Sequence, residues 1–337
     1  MNHNKLNCLV IGCGLLGLRR AEFIKNKVNI IACCDNDLKR LNKFKNKYCK
    51  EAYTDWKKSL KYTDIDFVII STPHYLLAKI AIAALKKKKH VFLEKPGGVF
   101  EEDFKEMKYL QKKFNLNLYI AYNHIFHPSI IKSKKMIDNG DIGELMYVRG
   151  RYGHGGRVGY DKEWRAIPKL SGGGEIIDQG SHLINLSIFF LGKIKKIQSY
   201  LNTFYWNMDV EDNGFIILRN ANNKVSFLHA SCTEWKNMFS LEIYGKKGKL
   251  EINGLGGSYG TEKLIYYKML KKMGPPKTFK WSFKNKDKSW QIEIENFLKN
   301  IINKSFDTTN VEYAHDTLKI VNKIYKQNKY DYSQKST

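Results

Sequence analysis

The chain has 337 residues, 43% hydrophobic and 13% aromatic, enough for two domains with proper cores and too much for wholesale disorder. Its formal charge is +25, but lysine doublets recur along the whole chain rather than on one segment, which argues for a solvated basic surface and against a nucleic-acid partner. No apolar stretch nears the ~20 residues that span a bilayer, the start runs into a strand-like segment rather than a signal pattern, and six cysteines lack C-x-x-C or zinc spacing, so a cytoplasmic protein with no membrane segment, disulfide or structural metal is expected.

The first third alternates strand and helix signals. Residues 6–11 are apolar, a glycine loop opens a helix over 15–26, and a second strand covers 28–34. Over 37–48, Leu38, Leu41, Phe44 and Tyr48 fall near one helical face. A short element at 52–53, a helix at 56–61, a strand at 66–71 and a helix at 76–87 come next. The run His90-Val91-Phe92-Leu93 breaks into Glu94-Lys95-Pro96, as a buried parallel strand does at its carboxyl end. A helix at 101–114 and a strand at 118–121 follow. Units of this length in alternation imply an α/β fold, a doubly wound parallel sheet assigned to residues 1–122.

From Tyr122 the pattern changes. A helix at 128–138 and a strand at 144–152 lead into a glycine-rich loop, 153–174, and a helix at 175–191. Strands then dominate, at 194–205, 214–218, 225–231, 239–244 and 248–252. Phe239, Leu241 and Ile243 alternate with Ser240 and Glu242, the pattern of a strand with one wet face. Asn222-Asn223 and Lys246-Lys247 sit where hairpins need turns. Helices at 290–302 and 312–325 close the chain. Residues 123–327 therefore read as an α+β domain with a mostly antiparallel open sheet, and 328–337 as a loose tail.

Gly12-Cys13-Gly14-Leu15-Leu16-Gly17 lies between a strand and a helix, and Asp35 closes the second strand at the ~20-residue separation of a dinucleotide fingerprint. Glycines admit a pyrophosphate to the backbone, and the helix N-terminus stabilises its charge. Asp35 can accept both ribose hydroxyls and repel a 2′-phosphate, so NAD is favoured over NADP. Pro96 holds Lys95 extended, which aims its ammonium into the crevice at the strand ends. Further on, Asp178-x-Gly180-x-His182 lies in a predicted helix where positions four apart share a face, joined by Asn185. An aspartate beside a histidine can fix its tautomer, and the histidine can accept a hydroxyl proton. The preceding Gly172-Gly173-Gly174 eases close approach of backbone and ligand.

These motifs occur in one order along the chain: the glycine loop, Asp35, Thr72-Pro73, Glu94-Lys95-Pro96, Tyr122-Asn123 with Phe126-His127-Pro128, then Gly172-Gly173-Gly174-Glu175 and Asp178-x-Gly180-x-His182. In this series the chain resembles the Gfo/Idh/MocA family, which includes glucose–fructose oxidoreductase and inositol dehydrogenases. The resemblance implies a Rossmann domain and a C-terminal α/β domain whose open sheet mediates homodimers or homotetramers. It implies Lys95, Asp178 and His182 as the catalytic group, and a Lys95–Pro96 peptide that is often cis. Cofactor contacts are then expected from Gly12, Gly14, Leu15, Leu16, Gly17, Asp35, Thr72, Pro73, Glu94, Lys95 and Asn123. Two departures stand out. A family histidine after Thr72-Pro73 is replaced by Leu77, and an aspartate three residues past the catalytic histidine by Asn185.

The expected activity is hydride transfer between NAD and a secondary alcohol or ketone of a sugar. Alternatives are an inositol dehydrogenase, or an NAD-retaining glycoside hydrolase of the same fold. The loop over 154–165 runs into the glycine run before Asp178 and should border the substrate. It holds Arg157 and Arg165, which suit phosphate or carboxylate, with Tyr160 and Trp164 to stack on a sugar face. Tyr152, Lys95, Asp178 and His182 complete the expected substrate contacts. An anionic or nucleotide-linked sugar follows, and the chain resembles family members encoded among surface-polysaccharide genes.

Overall fold

The computed structural model describes residues 5–62, 64–284 and 286–330. They divide into two compact units, one holding residues up to Tyr122 together with Trp290–His315, the other holding Asn123–Ser289 and the residues from Asp316 onward. No helix among the described residues is long and apolar enough to cross a membrane.

The first unit is built on six strands: β1 (Asn7–Ile11), β2 (Asn29–Cys34), β3 (Glu51–Tyr53), β4 (Phe67–Ile70), β5 (His90–Glu94) and β6 (Leu118–Ala121). All pair in parallel in the order β3-β2-β1-β4-β5-β6, the doubly wound arrangement the alternating pattern predicts. The central strands carry no alternation because both faces are covered: every residue of β4, and Val91, Phe92 and Leu93 of β5, is 0% exposed. The connecting helices begin and end where charge and capping allow. Asp37 caps the helix Leu38–Tyr48 by accepting from the Lys39 and Arg40 amides at 2.9 and 3.1 Å. The helix Glu101–Phe114 has three acids in its first turn, two lysines in its last, and ends at Asn115 in the left-handed region.

Trp290–His315, expected within the domain over 123–327, joins the first unit instead. Its helix Ser289–Ile302 brings Phe297 against Phe67, Phe92 and Tyr119 at centroid distances of 5.7, 5.4 and 6.4 Å. Asn310 then brackets the edge strand β6, its side chain accepting from Ile120 N at 2.7 Å and donating to Ile120 O at 3.0 Å. An edge that would otherwise offer free backbone groups is thereby closed.

The second unit carries eight strands: β7 (Leu145–Gly153), β8 (Ile194–Asn202), β9 (Asn213–Asn220), β10 (Val225–Ser231), β11 (Met238–Gly245), β12 (Gly248–Asn253), β13 (Glu262–Lys268) and β14 (Lys277–Phe283). Their order is β14-β13-β12-β11-β7-β10-β9-β8, antiparallel throughout except for β7 against β10. The alternation in β11 holds, with Phe239, Leu241 and Ile243 at 2, 0 and 0% exposure. Strands β13 and β14 lie beyond the last strand the sequence suggests; in β14 Lys280 interrupts the apolar positions, whereas β13 carries the unbroken run Leu264-Ile265-Tyr266-Tyr267. The helix Ser181–Leu191 covers the buried face, and Gly150 lets it come close, since a Cβ there would lie 3.1 Å from a Leu183 methyl. The described start of the expected loose tail is held instead: Asn328 accepts from Leu201 N at 3.3 Å and donates to Ser199 Oγ at 2.9 Å. The rest of that tail, 331–337, lies outside the described residues.

Candidate active site

The glycine loop is shaped by what each glycine touches. Gly12 adopts φ +95, donates its N–H to Cys34 O at 2.8 Å, and would push a Cβ to 2.5 Å from Ser71 O. A Cβ on Gly17 would sit 1.9 Å from Gly12 O, so this glycine lets the helix Leu15–Ile24 pack against the turn. Gly14 is different: nothing lies within 4 Å of a Cβ built there, and it occupies the N-cap of that helix. Open space against free helix N–H groups is what a pyrophosphate requires. Beside it, at the end of β4, the buried hydroxyls of Ser71 and Thr72 lack a protein partner, and Pro73 caps the helix His74–Lys86. Leu15, the first residue of that helix, is 75% exposed, with Leu16 half-buried behind it. Asp35 stands just past β2, its carboxylate accepting from Cys13 N at 2.7 Å and Asp37 N at 2.9 Å. These residues fit a dinucleotide.

Lys95 is half-buried just beyond β5, joined to Pro96 by a cis peptide, with Gly97 at φ +89 behind it. Glu94 is not left to the solvent. Its carboxylate pairs at 2.8 Å with Arg20, a guanidinium at 0% exposure that also pairs with Glu293 at 2.8 Å. The rings of Phe92 and Trp290 lie 4.7 and 4.5 Å from the Arg20 Cζ. Burial works to lower this arginine's pKa, but Glu94 and Glu293 more than offset it, and the value lies above the usual one.

In the second unit, the expected helix over 175–191 begins as a π-helical turn, Ile176–Gly180, before turning α-helical at Ser181. The wider turn falls at Asp178, so the α-helical four-residue spacing to His182 no longer sets their relation. Asp178 accepts from Arg165 Nε at 3.0 Å. His182, 6% exposed, stacks on His124 with centroids 3.8 Å apart and planes at 17°.

The glycine run before this turn makes room for protein groups. A Cβ on Gly173, at φ +150, would meet the Tyr325 hydroxyl at 2.0 Å, and one on Gly174 would meet Glu211 O at 2.0 Å. Glu211 accepts from the Gly174 and Ile176 amides at 3.1 and 2.9 Å and from Tyr325 Oη at 2.8 Å. Glu211 and Tyr325, unmarked in the sequence, therefore hold the turn that carries Asp178.

The loop residues divide. Arg165 lies on Asp178 with its Cζ 4.6 Å from the Trp164 ring centroid. Burial works to lower its pKa, and Asp178 raises it to a net increase. Arg157 is exposed and bonds Glu163 at 2.7 Å. Tyr160 corrects the expectation of a stacking ring: it is 3% exposed and donates its hydroxyl to Glu175 at 2.8 Å, and burial first, then the Glu175 charge, pushes the phenol pKa up. His154 accepts from Gly156 N at Nδ1, which leaves its Nε2 proton for Glu175 at 3.5 Å. Burial works to lower the His154 pKa, but the Glu175 hydrogen bond and charge raise it overall. Tyr152 is buried with its ring 5.1 Å from His124 and 6.0 Å from His182, and burial holds it as a neutral phenol. Asn123 donates to Ser289 Oγ at 2.8 Å, and Asn185 to Thr317 Oγ1 at 3.2 Å.

A family model described as an oxidoreductase family with an NAD-binding Rossmann fold matches residues 6–122, and one for the GFO/IDH/MocA C-terminal domain matches residues 130–251. The chain belongs to the GFO/IDH/MocA oxidoreductase family. Levoglucosan dehydrogenase of Pseudarthrobacter phenanthrenivorans is 27% identical over 227 residues, 59% of this chain and 58% of that protein. Inositol 2-dehydrogenase of Salmonella typhimurium is 30% identical over 164 residues, 47% of this chain and 49% of that protein. The chain thus matches about half the length of these curated relatives. In fold, it is similar to levoglucosan dehydrogenase in complex with NADH, with TM-score 0.87 at 20% identity over 96% of this chain and 97% of that one. It is also similar to the WlbA dehydrogenase from Bordetella pertussis in complex with NADH and UDP-GlcNAcA, with TM-score 0.82 at 18% identity over 97% of each. The first unit is the family's NAD-binding fold, in agreement with the cradle at Gly14 and with Asp35.

Asp35→Ser combined with Asn36→Arg is expected to move the preference from NAD toward NADP, because the change removes the carboxylate that repels a 2′-phosphate and adds a guanidinium to hold it. Dissociation constants for both nucleotides, measured by fluorescence titration, check this. An unchanged ratio would remove Asp35 from ribose recognition.

Proposed function

We propose that this protein is an NAD-dependent dehydrogenase or reductase acting on a secondary alcohol or ketone of a sugar. The observation that carries the reading is the buried His182 imidazole at the head of a helix whose π-turn presents Asp178 to Arg165, in a chain whose other unit binds NAD. When bound, the nicotinamide supplies the hydride acceptor or donor. His182 takes the proton of the sugar hydroxyl at a ring nitrogen. Arg165 fixes the Asp178 carboxylate, so that this charge has one orientation. Lys95 places an ammonium against the substrate oxygen and polarises it.

The substrate class we infer is an anionic or nucleotide-linked sugar. Arg157 and Arg165 both lie on the loop that leads to Asp178, and a similar fold, the WlbA dehydrogenase, is known with UDP-GlcNAcA. Arg157→Ala and Arg165→Ala are each expected to raise KM for such a sugar, and added salt to weaken its binding. Steady-state kinetics on UDP-linked, phosphorylated and neutral sugars checks this, and neutral sugars turning over best with both arginines dispensable would overturn it. We further propose a homodimer or homotetramer through the open face of the eight-stranded sheet, where Tyr147, Ile217 and Phe227 are 41, 39 and 46% exposed.

Mass spectrometry of the denatured protein, for released nucleotide and any co-bound sugar, tests the whole reading, followed by absorbance assay of NADH with levoglucosan, myo-inositol and uronic-acid sugars. NADP as the bound nucleotide, or glycoside cleavage with NAD retained and no net NADH, would overturn it.

A further inference from the structure

The register of the eight-stranded sheet sets apart the end away from Asp178 and His182. Gly248 pairs with Lys268, Lys268 with Lys277, Gly245 with Leu145 and Ile194 with Asn220, so these residues form one row across the strand ends. Tyr152, whose ring lies 6.0 Å from His182, is near the opposite end of β7. The turns beyond the row are tied together. Met269 N donates to Lys247 O at 2.9 Å, Lys247 N to Ile142 O at 2.8 Å, and Tyr266 Oη to Asp141 O at 2.6 Å.

From this row projects the tip of the β13–β14 hairpin, Met269-Leu270-Lys271-Lys272-Met273-Gly274-Pro275-Pro276. Glycine and proline suffice to turn the chain, yet Met269, Leu270 and Met273 are 69, 45 and 106% exposed. The charge around them has one sign. Between Glu262 and Asp287 the sequence has no acid, while Lys268, Lys271, Lys272 and Lys277 are all exposed. The neighbouring turns add Lys224 and Lys247; their acids are Asp141 and Glu144, and Glu144 pairs with Lys246 at 2.6 Å.

We infer that this end of the sheet docks on an anionic lipid surface, with the 269–276 tip among the headgroups and the lysines against their phosphates. Such a contact needs no spanning segment, because a modest apolar insertion and a basic patch act together. A polyanion in water would satisfy the lysines and leave the three apolar side chains exposed. A neutral apolar partner would cover those side chains and leave the lysines without counter-charge. An anionic bilayer meets both layers in the order in which the hairpin presents them. The stems of Lys271 and Lys272 lie along the apolar layer while their ammonium groups stay with the phosphates. The π-turn that carries Asp178 packs at the other end of the sheet, where its Ile176 meets Gly214, and is left clear of the lipid. This inference is independent of the substrate and of the residues proposed to act on it.

The test is co-sedimentation of the whole protein with phosphatidylcholine vesicles, with and without phosphatidylglycerol, over a range of NaCl. The parent is expected to bind only the vesicles that contain phosphatidylglycerol, and to lose binding as salt rises. Lys271→Gln and Lys272→Gln should each weaken the partition roughly fivefold. Met269→Ser with Met273→Ser should weaken it about tenfold or more, and Met273→Trp should strengthen it, since tryptophan favours the headgroup layer. All four changes lie on an exposed loop, so the melting temperature should stay at the parent's. Equal binding to both vesicle types, or to neither, would overturn the inference. So would a loss confined to the lysine variants, with the methionine variants binding as the parent does, because the site would then recognise a polyanion and not a bilayer. Light scattering supplies the last reading: a lower oligomeric mass in the methionine variants would make the tip a contact between copies of this chain and would also overturn the proposal.

Discussion

Arg20→Met is expected to lower the unfolding free energy of the first unit by about 3–5 kcal/mol, the cost of breaking a buried ionic group by removing one member. Methionine keeps much of the volume against Phe92 and Trp290, so the loss is chiefly electrostatic. Without the guanidinium, Glu94 and Glu293 lose the buried cation that bridges them. One or both then bind a proton more readily when folded than when unfolded. A carboxyl whose folded pKa is raised contributes most below the unfolded value, near 4.3, and loses that contribution as pH rises through the folded value. The gap between parent and variant should therefore widen toward neutral pH and narrow in acid. Urea denaturation at two pH values, followed by amide exchange in β1 and β5, reads this directly. A variant within 1 kcal/mol of the parent at neutral pH would show that the three groups act as surface charges do.

The parts of the molecule that the sequence reveals are those whose cause is local. A run of apolar residues ending in a glycine loop needs no distant partner to be read as β1 and its turn, and Asp35 sits at a spacing set by one βαβ unit. The same holds for Lys95, since proline chemistry marks the end of β5. Arg20 was illegible for the opposite reason: its partner Glu94 is 74 residues away, and Glu293 lies on the closing helix. That helix shows an apolar stripe in its sequence, but a stripe does not say which sheet it covers, so the sequence alone does not place Trp290–His315 with the first unit. The three glycines at 172–174 did announce close approach. Their partners, Tyr325 and Glu211, are far along the chain, and a ligand was the nearer guess. A π-turn leaves no periodic trace of its own over five residues, which is why Asp178 and His182 were placed by α-helical rules. His124 belongs to the same class, being positioned by stacking across the fold.

Lys95→Met is expected to leave the fold and nucleotide binding intact and to lower turnover by on the order of 10²–10⁴, or about 3–5 kcal/mol of barrier. The backbone there is fixed independently of the side chain. Val91, Phe92 and Leu93 are fully buried on the strand before it, and Pro96 and Gly97 follow, the latter at φ +89 with no room for a Cβ beside Phe104. Methionine matches the length and volume of the lysine stem, so the substitution removes a charge and a donor while leaving the shape. An ammonium that polarises the reacting oxygen acts more on the transition state than on the bound substrate, so kcat should fall with little change in KM. His182→Asn should lower kcat comparably but also remove the acid limb of the pH–rate profile, a change that Lys95→Met should not produce. Lys95→Arg separates charge from geometry, because a planar guanidinium cannot place its charge where the compact ammonium stood; it is expected to recover less than a tenth of the parent rate. Steady-state kinetics over a range of pH, with nucleotide affinity measured in parallel, checks all three. Turnover by Lys95→Met within a few-fold of the parent would make this lysine a structural residue and leave the polarisation of the substrate oxygen to another group.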